Sequence, residues 1–344
     1  MEMEKHGNQG NQAGKGNSTS ILRKIGKYTL ITLKWMFITG VIAGFLGAGA
    51  AFGYITALVK DDPVRTKDAM MAQVQENALT GFVYFGDDTV VGQLRSEEDR
   101  RLAELKDIPK IVQDAVLAVE DNNFYEHHGV DVKGTLRAIV QKLLREDIQT
   151  GGSTITQQLA RRVFLTLDKA DSRKAKEIFL ALRMERLMSK DEILLAYLNK
   201  IPYGNGSSGY NLYGIKAAAK GIFNIDDLNQ LNIAQVAYLA GLPQRPSNYS
   251  AYNSKGELDT AAFKRAVQRQ QLVLRRMLEE GKITDPQYQE ALAFDLKGSL
   301  AERQKKAYST YPYLMIEVEK EADQSAAQGR ATEARSAEEP GRLQ

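Results

Sequence analysis

The sequence predicts a mainly α-helical protein in which one transmembrane helix precedes a helical domain with a short β-hairpin. Three observations support this fold class: an uncharged run of 25 residues near the N-terminus, apolar residues that recur at helical spacing downstream, and two short β-rich runs around a turn. The net charge of +3, from 46 basic and 43 acidic residues, gives no overall attraction to nucleic acid. The absence of cysteine excludes disulfides and thiolate catalysis.

The predicted membrane anchor covers residues 28–59. Its uncharged run from Trp35 to Val59 forms a helix of about 37 Å at ~1.5 Å per residue, longer than the ~30 Å hydrocarbon core of a bilayer. Basic residues precede this run and Asp61-Asp62 follows it, so the positive-inside rule places the N-terminus in the cytoplasm and the rest of the chain outside. A signal peptide cleaved near Ala48-Gly-Ala50 is the alternative, but the apolar run continues past that point, which favours an uncleaved anchor.

Composition sets the other predicted boundaries. Residues 1–27 begin with a stretch rich in Gly, Asn, Gln and Ser and are predicted to be a disordered cytoplasmic tail. Residues 60–310 are predicted to form an extracytoplasmic domain. Residues 311–344 are predicted to be a connector and a disordered tail, because apolar periodicity ends after Glu317.

Local patterns predict the elements of the domain. Phe82–Val91 predicts a hairpin that turns at Gly86-Asp-Asp88. A helix that opens at Ile108-Pro109 carries apolar residues at helical spacing and places Glu120 in its last turn. The segment from Tyr203 to Tyr213 is rich in Gly, Asn and Ser, and we expect it to be a mobile loop over a site.

Two segments combine residue types that carry chemistry. Residues 120–129 place three carboxylates and two of the chain's three histidines within ten positions. A solvated loop is the ordinary explanation, and the histidines have no third ligand that would favour a metal site. Farther on, Gly151-Gly-Ser-Thr154 precedes an apolar helical pattern, so free backbone N–H groups at the helix start are suited to a phosphate-like anion. An ordinary N-cap after a loop is the alternative.

Five ordered motifs between Leu102 and Tyr249 resemble those of the family 51 peptidoglycan glycosyltransferases. They are Glu120-Asp121-x-x-Phe124-x-x-His127-x-Gly129, Gly151-Gly-Ser-Thr-Ile-Thr-Gln-Gln158, Arg173-Lys174-x-x-Glu177 with Glu185, Lys190-x-x-Ile193-Leu194-x-x-Tyr197-Leu198-Asn199, and Leu239-Ala-Gly-Leu-Pro243 with Pro246-Ser247-x-Tyr249. The anchor and hairpin also resemble the N-terminal, transglycosylase half of a class A penicillin-binding protein. The resemblance implies a lysozyme-like glycosyltransferase domain.

The motifs of a penicillin-binding transpeptidase do not occur in this sequence. It contains neither Ser-x-x-Lys nor Lys-Thr-Gly, so we expect no transpeptidase domain within it. A monofunctional relative, a truncated class A protein and a frame-shifted gene all agree with this pattern.

The resemblance implies an enzyme that polymerises lipid II into β-1,4-linked glycan and releases undecaprenyl pyrophosphate in one inverting step. Glu120 would be the general base, and Glu177 would orient Arg173 or hold a divalent cation, Mg²⁺ or Mn²⁺; no organic cofactor is implied. The implied partners are the growing glycan strand, the membrane and cell-wall synthesis or division proteins, and not nucleic acid. The implied substrate-binding residues are Asp121, Phe124, His127, Gly152, Ser153, Thr154, Gln157, Gln158, Arg161, Arg173, Lys174, Asn199 and Tyr203.

Two other functions stay open at this point. A lytic or hydrolytic enzyme can share the same fold, and a catalytically impaired membrane scaffold can retain it. Departures from the family pattern bear on the second: Leu195 stands where Glu is common, Arg162 where Asn is expected, and Gly221-Ile-Phe223 where an aromatic-Phe-Gly triplet is usual.

Overall fold

The computed structural model describes residues 15–60, 63, 65–76, 80–136, 152–165 and 172–338. The chain divides into two compact units, residues 1–62 and residues 63–344. The first unit contains helix α1, Lys15–Val59, and the second contains every other described element.

Helix α1 is the one described helix that is long and apolar enough to cross a membrane. Its apolar span runs from Gly26 to Tyr54, 29 residues with a mean hydropathy of 1.8. Its large apolar side chains, such as Trp35 and Phe45, are exposed within the chain. The helix begins at Lys15, so part of the tail predicted to be disordered is helical. Once a helix has formed, each further residue adds a hydrogen bond without a new nucleation cost, which extends the helix beyond its apolar part.

The described strands of the second unit form two small sheets. They are β1 Phe82–Tyr84, β2 Val90–Gln93, β3 Glu98–Arg100, β4 Pro202–Asn205 and β5 Asn211–Tyr213. Strands β1 and β2 pair antiparallel, which confirms the predicted hairpin. The other sheet has the order β3-β5-β4, in which β3 runs parallel to β5 and β4 antiparallel to it. Because β3 is far from β5 in the chain, no local pattern predicts that pairing.

The segment from Tyr203 to Tyr213 is the largely buried β4-β5 hairpin, so the prediction of a mobile loop was wrong. Its glycines permit close packing of the backbone. Gly204 has φ 87°, and a Cβ atom there would lie 2.8 Å from the carbonyl oxygen of Pro246. The glycine content of this segment therefore reflects positive φ and tight contacts, which only glycine tolerates well.

Helices make up most of the second unit. In chain order they are α2 Lys67–Gln75, α3 Lys110–Glu120, α4 (its described part, 132–136), α5 Ile155–Phe164, α6 Ser172–Leu187, α7 Lys190–Lys200, α8 Ile215–Phe223, α9 Ile233–Gly241, α10 Pro246–Tyr249, α11 Thr260–Glu279, α12 Asp285–Ala293, α13 Ala307–Thr310 and α14 Pro312–Glu338. The apolar residues Val132, Leu136, Ile139, Val140 and Leu143 predict a helix from near Asp131, and its part beyond residue 136 lies outside the described residues.

Capping side chains explain where several of these helices begin. Ser189 and Glu192 form a reciprocal capping box at the start of α7, and Thr284 and Gln287 do the same at α12. These bonds satisfy N–H groups that the first helical turn leaves without a partner. Both capping boxes follow from the sequence pattern and are present in the structure.

The core of the second unit lies among α3, α5, α7, α9 and α11. Helix α9 packs on both α3 and α11, and α5 packs on both α6 and α7. The largest fully buried side chains include Phe124, Tyr197, Tyr203 and Tyr238. This arrangement brings the C-terminal end of α3 close to α5, α7 and α11.

Helix α14 differs from expectation. It covers Pro312–Glu338, most of the segment predicted to be a connector and disordered tail. The missing apolar periodicity argued against a packed helix. The segment is nevertheless rich in Ala, Glu, Gln and Arg, whose high helix propensity favours a helix even where apolar periodicity is missing.

Asn199 joins α7 to the chain segment before α3. Its Oδ1 accepts a hydrogen bond from the N–H of Ala103 at 3.0 Å, and its Nδ2 donates to the Ala103 carbonyl at 2.9 Å. We expect Asn199→Ala to lower the free energy of unfolding by about 2–4 kcal/mol, because two buried backbone groups lose their partner. Urea unfolding of the full chain in detergent micelles measures this loss.

Asn248 provides the matched control, because its side chain is exposed. Asn248→Ala should change the free energy of unfolding by less than ~0.5 kcal/mol. Equal effects of the two substitutions would contradict the structural role of Asn199.

Candidate active site

Glu120 is the last residue of α3, and its side chain is only 9 % exposed. Its Oε2 accepts a hydrogen bond from Nε2 of Gln158 on α5 at 2.8 Å. Its Oε1 lies 3.8 Å from Nη2 of Arg269 on α11. Two helices distant in sequence therefore provide partners for a carboxylate that is largely withdrawn from water.

Burial raises the pKa of Glu120 above its ordinary value, because the low-dielectric surroundings disfavour the charged form. The hydrogen bond from Gln158 and the charge of Arg269 oppose this effect, and the negative charge of Asp121 adds to it. The result is a carboxylate with a raised proton affinity and a fixed position, the properties of a general base that works near neutral pH.

Tyr197 on α7 holds Gln158 in place. Its hydroxyl donates to Oε1 of Gln158 at 3.3 Å, so the amide of Gln158 presents its N–H side to Glu120. Tyr197 is completely buried, and the loss of water around its hydroxyl, with the nearby negative charge of Glu120, raises its pKa well above the ordinary value. It therefore stays protonated and remains a donor.

Asp121 ties the loop after α3 to the start of α5. Its carboxylate contacts Nε2 of His127 at 2.9 and 3.0 Å and accepts from the backbone N–H of Ile155 at 2.9 Å. Nδ1 of His127 accepts from the N–H of Gly129 at 3.1 Å, so Nε2 is the nitrogen that donates to Asp121. Both side chains are almost fully buried and hold the loop in place, and Asp121 also lines a cavity beside Glu120.

The carbonyl of Gly129 completes this link. It accepts hydrogen bonds from Oγ1 of Thr154 at 2.8 Å and from Nε2 of Gln157 at 3.2 Å. Gly129 has φ 90°, and a Cβ atom there would lie 2.9 Å from the Ala181 backbone on α6. Glycine is therefore required at the point where the loop, α5 and α6 meet.

Lys174 is the centre of a cluster at the start of α6. Its Nζ donates to Oγ of Ser153 at 2.8 Å, to Oε1 of Gln157 at 2.9 Å and to Oε1 of Glu177 at 2.8 Å. Arg161 lies 3.9 Å from Oε2 of Glu177, whose side chain is 2 % exposed. Two cations thus converge beside the Gly152–Thr154 segment, and Glu177 fixes both of them.

Arg173 precedes Lys174 on α6 and is half-buried. The sequence predicted that Glu177 would orient Arg173; the ion pairs shown for Glu177 are those with Lys174 and Arg161.

The surroundings of Glu177 do not fit a divalent cation. Its two oxygens face two cations, and within the described part of the chain no group of three or more His, Asp or Glu side chains is arranged to hold a metal ion. We therefore derive no catalytic step through a metal.

A cavity joins Glu120 to the second motif. Its walls include Glu120 at the end of α3, Thr135 on α4, Gly152 to Thr154, and Arg276 on α11. Oγ1 of Thr135 donates to the Gly152 carbonyl at 3.1 Å, which fixes the glycine segment against α4. Glu120 of the first motif and Gly152 to Thr154 of the second motif therefore line the same cavity.

A buried ion pair between Glu185 and Lys190 connects the helices that surround the site. Oε1 of Glu185 on α6 accepts from Nζ of Lys190 on α7 at 2.8 Å and from Oγ1 of Thr156 on α5 at 2.6 Å. The Lys190 ammonium also lies 4.4 Å from the ring centre of Phe124. Phe124 is therefore a core residue that fixes the loop after Glu120.

Three of the buried residues that the resemblance implied in substrate binding have side chains that contact other parts of the fold. Phe124 and Tyr203 have no exposed surface, and the amide of Asn199 is fully used by Ala103. The Tyr203 hydroxyl has no hydrogen-bond partner among the described residues. We assign these side chains to packing around the site, since none of them reaches its cavity.

No local sequence pattern indicates the position of Arg269 or the role of Tyr197. Arg269 lies on α11, and nothing local distinguishes it from the other arginines of that helix. Tyr197 is part of the fourth motif, but its contact with Gln158 depends on the packing of α5 on α7. Only the tertiary structure identifies either residue.

Comparison with known proteins agrees with this geometry. The profile of the transglycosylase family matches residues 87–278, more than half of the chain. Penicillin-binding protein 1A of Escherichia coli is 39% identical over 259 residues, which cover 74% of this chain and 28% of that protein. Penicillin-binding protein 1A of Neisseria flavescens is 40% identical over 257 residues, which cover 75% and 30%.

This chain therefore spans less than a third of the length of these relatives. A crystal structure of penicillin-binding protein 1A from Haemophilus influenzae covers 68% of this chain at 23% identity with a TM-score of 0.37, an overlap that adds no argument. The family profile and the two relatives place the chain in the transglycosylase family of peptidoglycan glycosyltransferases, to which it belongs.

Proposed function

We propose that this chain polymerises lipid II into β-1,4-linked glycan strands, with Glu120 as the general base. The observation that carries the proposal is the buried Glu120 carboxylate, held by Gln158 and Arg269 and open to the same cavity as Gly152 to Thr154. A base and an anion-binding segment on one cavity are what a displacement at a sugar pyrophosphate requires.

The proposed step is a single inverting displacement. The 4-hydroxyl oxygen of the acceptor sugar forms a bond to the anomeric carbon of the donor as the bond from that carbon to the pyrophosphate oxygen breaks. The acceptor's proton moves to Glu120, and the electron pair of the broken bond leaves with undecaprenyl pyrophosphate. The raised pKa of Glu120 increases its proton affinity, which favours this transfer.

The leaving pyrophosphate needs stabilising positive charge. Lys174 is bonded to Ser153, so its ammonium lies beside the segment that precedes α5. Arg161 and Arg173 extend this positive surface, and the backbone N–H groups at the start of α5 add the positive end of the helix dipole. Glu177 positions the cations and does not itself touch the reacting atoms.

The remaining proposals concern the setting of the reaction. Helix α1 would anchor the chain in the membrane with its N-terminus in the cytoplasm and residues 60–310 outside, where the lipid-linked substrate is presented. Cell-wall synthesis or division proteins are the proposed protein partners.

Glu120→Gln should lower kcat by roughly 10²–10⁴-fold, because the amide cannot accept the proton while its shape and the contact with Gln158 are conserved. Incubation of the full chain with lipid II, followed by gel separation of the glycan products, measures the rate. Full activity of the variant would exclude Glu120 as the base. Shortened glycan from preformed peptidoglycan, without strand growth, would instead indicate a lytic enzyme.

Gln158→Leu should move the acidic limb of the pH–rate profile to higher pH. Glu120 works as a base only when ionised, and the Gln158 hydrogen bond favours the ionised form. Loss of that bond raises the pKa further, so activity disappears at a higher pH than in the parent. Gln271→Leu on the exposed face of α11 is the control and should leave the profile unchanged. An unshifted profile for Gln158→Leu would contradict this role.

Lys174→Met should lower kcat/KM for lipid II by about 10- to 100-fold, the loss expected for a charge-assisted hydrogen bond to a phosphate. Lys176→Met, two residues later on the same helix, is the matched control, because Lys176 makes no side-chain contact of this kind among the described residues. A similar loss in both variants would indicate a general charge effect.

A further inference from the structure

A second cavity, of about 330 Å³, lies at the C-terminal ends of α5 and α7. We call it the basic cavity, because Arg100 on β3, Arg162 on α5 and Lys200 on α7 line it, together with Tyr213 on β5. Glu76 and Glu98 are the acidic residues at the same cavity. It shares no lining residue with the cavity at Glu120, so it is a separate place in the fold.

The three cations of the basic cavity have only one carboxylate partner among the described residues. Arg100 pairs with Glu98 at 3.1 Å. Lys200 donates to the backbone carbonyl of Glu76 at 2.5 Å, a neutral acceptor. Arg162 faces the ring of Tyr213, whose centre lies 6.0 Å from its guanidinium carbon. Arg162 and Lys200 therefore carry charge that no described carboxylate within 4.0 Å compensates.

The surroundings of Arg162 and Lys200 lower the pKa of both groups, which means that their charged forms are disfavoured. Burial lowers the pKa of Arg162 and the charges of Arg161 and Arg100 lower it further, while Tyr213 and Glu98 only partly oppose the shift. Burial and the charge of Arg100 likewise lower the pKa of Lys200, and Glu76 only partly opposes them. An anion in the cavity would relieve both effects, because it is attracted by all three cations at once.

Tyr213 gives the cavity a fixed geometry. The guanidinium of Arg100 stacks over its ring at 4.6 Å, on the same aromatic ring that Arg162 approaches. Nη1 of Arg100 also contacts the carbonyl of Asn199 at 3.5 Å, so its position is set by two elements. A stacked arginine presents its N–H groups in a defined plane, which suits the oxygens of a phosphate.

A simpler role explains only part of this arrangement. Arg162 lies in the last turn of α5 and Lys200 ends α7, where cations stabilise the negative end of a helix dipole. That role accounts neither for Arg100, which lies on a strand, nor for the convergence of the three cations on one cavity.

We propose that the basic cavity binds an anion of the phosphate class, in particular a phosphodiester. Two arginines and a lysine around one space are the groups that recognise phosphate oxygens, and the volume accommodates one such group. Glu76 and Glu98 disfavour a ligand with two negative charges, so the monoanionic diester fits better than a monoester. A lipid headgroup and a small soluble phosphate share this chemistry.

The ligand would join elements that also build the candidate active site. Helix α5 carries Gln158 and Arg162, and α7 carries Tyr197 and Lys200. A bound anion connects the ends of these helices with β3 and β5, so it stabilises the folded chain over the unfolded one. Thermal unfolding therefore reports binding without any measurement of activity.

The experiment follows the unfolding midpoint of the full chain in zwitterionic detergent micelles at constant ionic strength. Sodium diethyl phosphate, a soluble monoanionic phosphodiester, and short-chain phosphatidylglycerol are the two probes, and short-chain phosphatidylcholine is the zwitterionic control. We expect at least one anionic probe to raise the midpoint. Arg162→Gln should weaken the binding of that probe about tenfold or more, the loss of one charge-assisted contact. Lys264→Gln, an exposed residue on α11, should have no effect.

Comparison of the probes and of further variants identifies the type of ligand and the cavity that binds it. A response to phosphatidylglycerol alone supports a lipid headgroup, and a response to diethyl phosphate supports a soluble ligand. Lys174→Met must retain the response, because Lys174 belongs to the other cavity region. A response lost in Lys174→Met but kept in Arg162→Gln, or no response to either probe, would overturn the proposal. Lys200→Gln provides a second variant if Arg162→Gln does not fold.

Discussion

The buried carboxylate of Glu120 is the constraint on which the site depends. It ends α3, where the helix dipole is negative, and its side chain has little access to water. Both conditions disfavour the charged form, so the fold must bring compensating groups to it. Gln158 comes from α5 and Arg269 from α11, which means that the packing of these helices fixes the properties of the carboxylate.

The same requirement repeats at two other buried carboxylates. Glu177 faces Lys174 and Arg161, and Glu185 faces Lys190. A buried charge that loses its partner costs several kcal/mol. These ion pairs therefore fix the positions of α5, α6 and α7 relative to one another. The pair between Glu177 and Lys174 also holds the Lys174 ammonium beside Ser153, in the Gly152–Thr154 segment. Such preorganisation is what makes electrostatic stabilisation effective in catalysis.

Helices α5 and α7 connect two regions of opposite electrostatic character. At Glu120, Gln158 of α5 donates to the carboxylate and Tyr197 of α7 donates to Gln158. At the basic cavity, Arg162 of α5 and Lys200 of α7 are cations without a described carboxylate partner within 4.0 Å. Because successive residues of a helix point about 100° apart, Arg161 turns toward Glu177 while Arg162 turns toward Tyr213. Helix α5 thus contributes residues both to the site at Glu120 and to the basic cavity. An anion bound in the basic cavity would therefore also restrain the helix that holds Gln158.

The sequence by itself determined the helical character of the chain, the apolar span in α1, the β1-β2 hairpin, the capping boxes of α7 and α12, and the position of Glu120 at the end of α3. These features depend on periodicity, composition and contacts between residues close in the chain, and local patterns record such contacts. Its motifs also identified the family. The sequence did not reveal that Tyr203 to Tyr213 is a buried hairpin, because glycine content alone does not distinguish mobility from close packing.

Only the tertiary structure decided which motif residues reach the cavity and which support it. His127 and Asn199 form their hydrogen bonds within the protein and do not line the cavity, whereas Arg269, which lies outside all five motifs, is beside Glu120. The convergence of Arg100, Arg162 and Lys200 is equally a product of the fold. The physical reason is that burial and charge compensation depend on distances between elements far apart in the chain, and these distances are set when the helices pack.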